Sequence, residues 1–116
     1  MLSFKYAIRG IADNIINTPN FRIHLFFAIA AILLGFFFEV TKIEWLAIIF
    51  CIGLVLTAET LNTSIEYLTD LVTKDYHELA KKTKDSAAGS VLLSAVTACI
   101  IGLYIFIPYF RILFFG

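Results

Sequence analysis

Fourteen consecutive residues without a charge, Trp45 to Ala58, run directly into the polar segment ETLNTSIEYLTD, Glu59 to Asp70, with no helix breaker between them. At about 100° per residue, Glu59, Asn62, Glu66 and Asp70 fall at roughly 0°, −60°, −20° and +20°, so all four share one helical face. That polar ladder is about 16 Å long at about 1.5 Å per residue. With Trp45 as an anchor at one membrane interface, Glu59 lies about 21 Å into a hydrocarbon core about 30 Å thick. A carboxylate at that depth is costly and marks a functional site by default.

The remainder of the chain agrees with a membrane setting. Of 116 residues 60% are apolar and 16% charged, and the apolar ones gather into three long runs, which makes this a single-domain, all-α membrane protein. A formal net charge of zero argues against a nucleic-acid partner. Cys51 and Cys99 each stand inside an apolar helix without zinc-site spacing, and both are read as packing residues. No cleavable signal is expected at the N-terminus, because Arg9 and Asp13 interrupt it before an apolar core forms.

Residues 1–17 place Leu2, Phe4, Ala7, Ile8, Ile11, Ala12, Ile15 and Ile16 at helical spacing, with Lys5, Arg9 and Asp13 opposite. The pattern predicts an amphipathic surface helix lying in the interface, the alternative being a helix packed on the rest of the protein. Pro19 turns the chain by biasing Thr18 away from the α region. The spans are expected at about 21–40, 43–72 and 80–107, with Pro108 near the end of the third and an aromatic tail from Tyr109 to Phe115. Arg22 and His24 stand at the start of the first span, where His24 reads as an interfacial residue rather than a ligand.

Lys5, Arg9, Arg22, Lys74, Lys81, Lys82 and Lys84 lie on one side of this topology and Lys42 and Arg111 on the other, which predicts a cytoplasmic N-terminus. The second span then leads from Glu59, the deepest rung, to Asp70 at the cytosolic surface. The third span carries small residues at Ser90, Ser94, Ala98 and Gly102, with Ala87, Ala95 and Cys99 alongside. Such stripes let helices approach closely in lipid. Three helices leave little room to shield four polar groups, so neighbouring subunits are expected to help enclose them.

Asn62 and Glu66 are oxygen donors suited to Mg²⁺, which takes one or two carboxylates and completes its shell with water and phosphate oxygens. Lys81, Lys82 and Lys84 are point charges for phosphate. Glu59, deep and poorly solvated, suits a general base for a hydroxyl. Together these parts describe phosphoryl transfer from a soluble nucleotide to a lipid alcohol. The plainer alternative makes Glu66 and Asp70 a solvated helix extension, the lysines a positive-inside signal, and Glu78 a favourable charge at a helix N-terminus. There is no Walker-type phosphate loop and no protein-kinase signature.

The motif ExxNxxIExxxD in ETLNTSIEYLTD, with YHELAKKTKDSAAGSVLL at 76–93, FKYAIRG at 4–10 and FRIH at 21–24, resembles the bacterial integral-membrane diacylglycerol kinases and their relatives the undecaprenol kinases. The resemblance covers nearly the whole chain. It implies a homotrimer of three-span subunits in the bacterial inner membrane, using Mg²⁺ and ATP to phosphorylate diacylglycerol or undecaprenol, with the active site shared between adjacent subunits. By the same resemblance Glu59 is the catalytic base, Glu66 a metal-binding carboxylate and Asn62 its polar neighbour. Asp70, Lys84 and Asp85 hold the nucleotide, and His77 and Glu78 lie close to it. Where the family usually carries a second metal-binding Glu, this chain has Thr18, a poorer ligand, with Asp13 on the preceding helix as a nearby carboxylate. That departure keeps a second expectation open, a catalytically impaired relative acting as a lipid- or nucleotide-binding membrane subunit. An ion or proton pathway is disfavoured, since the outer half of the second span has no polar residue.

Overall fold

Each helix boundary follows from local chemistry. A computed structural model describes residues 2–116, arranged as α1 (Leu2–Asn17), α2 (Pro19–Phe37), α3 (Lys42–Val72) and α4 (Glu78–Phe115). Thr18 alone separates α1 from α2. Its backbone is extended at φ −120° and ψ 100°, as a residue before proline prefers, and Pro19 opens α2 where a missing N–H costs nothing. Arg22 ties the corner, its Nη1 donating to the carbonyls of Ile15 at 3.0 Å and Ile16 at 2.8 Å at the end of α1.

The α2–α3 turn closes on both sides. Val40 N–H donates to Gly35 O at 3.1 Å and Glu39 N–H to Phe36 O at 3.3 Å, the double closure of a Schellman motif. Its left-handed position is filled by Glu39, at φ 51°, where glycine is usual. Thr41 then begins α3 with a capping box: its hydroxyl accepts from Glu44 N–H at 3.2 Å, and the Glu44 carboxylate accepts from Thr41 N–H at 2.9 Å. The Tyr109 hydroxyl of α4 donates to the same carboxylate.

α3 has 31 residues and so runs about 46 Å, longer than a bilayer core. Residues 73–77 turn the chain, and the His77 side chain caps α4 by accepting from Leu79 N–H at 3.1 Å. The third span is expected to end near residue 107; the helix itself continues through Pro108 to Phe115. In hydrocarbon a broken helix would leave carbonyls without water, so a proline inside a spanning helix is better accommodated than used as a stop.

α2, α3 and α4 are each long and apolar enough to cross a membrane. Their faces fit that solvent: Phe26, Phe36, Phe50, Leu93 and Ile100 are all exposed. The apolar core sits at the α2–α3 turn, where Val40, Ile48, Ile105 and Phe106 are buried and the Phe38 ring stacks on Tyr109 and meets Phe110 edge-on. At the opposite end of the bundle, where α1 meets α2 and α3, the buried residues are mostly polar.

Candidate active site

The buried polar set lies chiefly on one face of α3. Glu59 is 1% exposed, and Asn62 and Thr63 are buried with it, whereas Glu66 is exposed and Asp70 half-buried. The ladder therefore passes from interior to surface within three helical turns. Hydroxyls on this helix are satisfied locally: Thr63 donates to Glu59 O at 3.1 Å and Thr69 to Ile65 O at 2.7 Å. The carboxylate and amide are not. Glu59 Oε2 and Asn62 Oδ1 are buried without a hydrogen-bond partner among the described residues, an arrangement that costs stability unless something else uses them. Asn62 Nδ2 donates to Glu66 Oε1 at 3.2 Å, which links the buried and exposed halves of the face.

His24 on α2 approaches the same carboxylate, its Nε2 lying 3.6 Å from Glu59 Oε2. Its position in the sequence suggests only an interfacial residue; its place beside Glu59 depends on how α2 packs across α3. His24 also lines an apolar cavity of about 530 Å³ between α2, α3 and α4, together with Ala28, Cys51, Val55, Ala98 and Phe106.

At the polar end Lys84 of α4 reaches across to Asp70 of α3, Nζ to Oδ1 2.6 Å. This ion pair joins the two central motifs, although they are separate helices. Both side chains are 41% exposed, so the pair remains open to solvent. The other charges of residues 77–85 pair locally: Lys81 with Asp85 at 2.7 Å and Lys82 with Glu78 at 3.7 Å, each one helical turn apart. His77 serves as the N-cap of α4, and Glu78 stands in its first turn, where a negative charge favours the helix dipole.

α1 brings a second buried amide. Asn14 is 4% exposed and donates to Gly10 O at 3.0 Å, while its Oδ1 has no partner among the described residues. Beside it, Asp13 accepts from the Tyr67 hydroxyl and from Asn17 Nδ2, both at 2.7 Å. Those hydrogen bonds, Tyr67's first, hold the Asp13 carboxyl below the usual carboxylate range. Asp13 thus fastens α1 to α3, and Thr18 is half-buried at the head of α2, its hydroxyl capping no backbone N–H.

The family pattern described as prokaryotic diacylglycerol kinase matches residues 5–106. The chain belongs to that family. It is 46% identical over 106 residues to an undecaprenol kinase of Bacillus subtilis, covering 91% of this chain and 86% of that one. A diacylglycerol kinase of Synechocystis is 40% identical over 111 residues, covering 93% of this chain and 62% of the longer relative. The diacylglycerol kinase of Escherichia coli K12 is 30% identical over 95 residues, with 82% and 78% covered.

In this prokaryotic diacylglycerol kinase family member, Asn62 Oδ1 and Glu66 form a donor set of hard oxygens, one of them buried and unpartnered, and that chemistry fits Mg²⁺. Among the described residues no three His, Cys, Asp or Glu side chains gather into a metal site. Within one chain Glu59 and Asn62 are already buried, with His24 of α2 beside Glu59, whereas Glu66 and Asp70 remain open. Nothing in the sequence marks His24 as a neighbour of Glu59 or Tyr67 as the partner of Asp13. The Asp13 and Asn17 spacing, one helical turn apart beside a buried Asn14, is the signal that a polar edge of α1 faces inward.

Proposed function

We propose that this chain is a lipid kinase that transfers the γ-phosphoryl group of ATP to the hydroxyl of a membrane lipid alcohol, diacylglycerol or undecaprenol. The observation that carries this reading is Glu59, sealed at 1% exposure on a helix face that opens to solvent at Glu66 and Asp70. Membership of the prokaryotic diacylglycerol kinase family supports the reaction class. The 46% identity to a protein named undecaprenol kinase leans the acceptor towards undecaprenol.

In this reading Glu59 accepts the proton of the lipid hydroxyl as its oxygen bonds to the γ-phosphorus and the bond to the β-phosphate oxygen breaks, with ADP leaving. Asn62 and Glu66 would hold Mg²⁺, which when bound offsets the negative charge of the phosphates. Lys84, held by Asp70, meets phosphate oxygens as a point charge, and Asp85, His77 and Glu78 border the nucleotide. Thr18 occupies the position of a second metal carboxylate, and its hydroxyl is free of capping duty. The subunit is a single membrane domain with a cytoplasmic N-terminus, α1 lying along the interface, and it assembles as a homotrimer in the bacterial inner membrane.

The test is transfer of labelled γ-phosphate from MgATP to diacylglycerol and to undecaprenol in parallel mixed micelles. Glu59→Gln serves as control and is expected to lose turnover by at least about 10²-fold, the lower range for general-base catalysis, while the oligomer and nucleotide binding persist. Retained turnover in Glu59→Gln sinks the base assignment. No product on either lipid from a folded oligomer, restored by Thr18→Glu, marks the missing carboxylate as the defect and favours the impaired-relative reading.

A further inference from the structure

The cavity between α2, α3 and α4 has a direction. Two ties between α3 and α4 fix it: Lys84 meets Asp70 at the polar end, and Tyr109 meets Glu44 beside the α2–α3 turn. Along α4 the lining runs from Ala95, on the side of Lys84, to Phe110, on the side of Tyr109, a distance of about 22 Å. On α3 it stops at Leu56, one helical turn short of Glu59. On α2 it begins at Ile23 and His24, and His24 Nε2 stands 3.6 Å from Glu59 Oε2. One end of the cavity therefore abuts the proposed base, and the other ends at Phe110, far from the polar face.

The walls suit hydrocarbon. His24 is the one lining residue with an ordinary hydrogen-bonding side chain; the others are aliphatic, aromatic, glycine or the two cysteine thiols. The volume of about 530 Å³ falls within the range of small-molecule sites. On the α4 side the space is left by small residues, Ala95, Ala98 and Gly102. Such stripes on membrane helices usually serve close packing, but a Cβ built on Gly102 meets nothing within 4 Å beyond its own stretch of helix. Its backbone has no positive φ either. Glycine is disfavoured inside a helix, so neither packing within the chain nor backbone geometry calls for it here. What Gly102 leaves is room.

We propose that this slot takes the first part of a single isoprenoid chain, the tail of a polyprenol acceptor, running away from its hydroxyl at Glu59. The slot has one polar end and one axis, and so has a prenol; diacylglycerol carries two chains that diverge beside its hydroxyl. A three-bond backbone unit spans at most about 3.6 Å, so a slot of about 22 Å takes about 18 bonds, or between about four and five isoprene units. The remainder of a longer prenol leaves into lipid on the side where Phe27, Leu103 and Ile107 are exposed. This deepens, and rests on, the reading of Glu59 as the group that meets the acceptor hydroxyl. Exclusion of water needs no such slot; the slot sorts one lipid alcohol from another.

The experiment compares three acceptors, the short prenol geraniol, geranylgeraniol at twice its length, and undecaprenol, each expressed as its mole fraction in the mixed micelle with MgATP. In the wild type kcat/KM is expected to rise about threefold to tenfold from geraniol to geranylgeraniol and to level off at undecaprenol; the gain is modest because the tail moves between two apolar media and wins packing alone. Gly102→Phe fills the slot about 10 Å from its Ala95 end, roughly the reach of geraniol, and is expected to bring the ratio of geranylgeraniol to geraniol down to near one. The change for diacylglycerol in the same variant is expected to be smaller. Binding is read separately and without ATP: geranylgeraniol carrying a diazirine at its far end is expected to label α4 between Gly102 and Phe110. Excess undecaprenol and Gly102→Phe should each abolish that labelling.

An unchanged chain-length profile in a folded Gly102→Phe overturns the inference, since the tail then lies in bulk lipid. Labelling that matches a diazirine-tagged phosphatidylcholine overturns it as well. Breakdown of the oligomer in Gly102→Phe, with no far-end labelling of the wild type, gives the space to a second copy of the chain instead. If Gly102→Phe does not fold, labelling of the wild type decides. Glu59→Gln is assayed beside them: full turnover there removes the base assignment while the labelling still reads the slot, whereas an inactive Glu59→Gln beside an unchanged profile in Gly102→Phe removes the slot alone.

Discussion

Gly35→Ala adds one methyl group to the seam between α2 and α3. A Cβ built there would lie 2.5 Å from Cη2 of Trp45, 2.9 Å from Cζ2 and 3.0 Å from Cζ3. Carbon atoms in favourable contact stand about 3.5–4.0 Å apart, so the indole must retreat by about 1 Å. It has little freedom to do so, because its other contacts include the Phe36 ring with centroids 4.8 Å apart. Overpacking of this kind costs about 1–3 kcal/mol. The chain has a single tryptophan, so the emission of Trp45 reports on the displaced ring directly. Denaturant titration in mixed micelles, followed by helix content and by that emission, should show the loss together with a spectral change. A Trp45→Leu background removes most of the clash, and the double variant should lose less than the sum of the two single variants, with a coupling of about 0.5–3 kcal/mol. Full additivity, or a Gly35→Ala protein with wild-type stability and unchanged emission, would refute the packing argument.

The link between α1 and α3 should depend on pH. The folded Asp13 carboxyl is held below its ordinary range by Tyr67 and Asn17, so the stabilisation is in full force above about pH 4 and fades as pH falls through the lowered value. Tyr67→Phe should therefore be less stable than wild type at neutral pH and converge with it in strong acid; hydrogen exchange along α1 at both pH values checks this. Glu39→Gly should stabilise the protein by roughly 1 kcal/mol, because Glu39 is held at φ 51° where a Cβ is penalised. The same denaturant titration measures it, and a loss would mean that the Glu39 side chain makes a compensating contact.

The spanning helices were legible because bilayer thickness imposes a length and charge-free runs reveal it. The shared face of Glu59, Asn62, Glu66 and Asp70 was legible because helical period is local. What was not legible depends on how helices cross. His24 and Glu59 are 35 positions apart in the chain, and no periodic signal relates them. Asp13 and Tyr67 are 54 apart and meet because the one-residue corner at Thr18 folds α1 back onto α3. That α4 runs on through Pro108 to Phe115 was not legible either, because hydropathy marks the length of a span and not the length of its helix.

The exposure gradient along α3 bears on the acceptor. Glu59 and Glu66 are seven residues apart, about 10 Å along the axis, yet one is sealed and the other open to solvent. A base at the solvent end would activate water as readily as an alcohol, and the phosphoryl group would be lost to hydrolysis. With Glu59 as the proposed base, its place beyond the reach of bulk water, on the same rigid helix as the groups proposed for metal and nucleotide, confines it to acceptors that arrive from the lipid side. Selectivity for a lipid hydroxyl over water then follows from depth and positioning, and needs no pocket that recognises the remainder of the lipid. A variant that admits water to Glu59, by replacing Val55 or Ala28 of the cavity wall with serine, should raise ATP hydrolysis relative to lipid phosphorylation; an unchanged ratio would place the discrimination elsewhere.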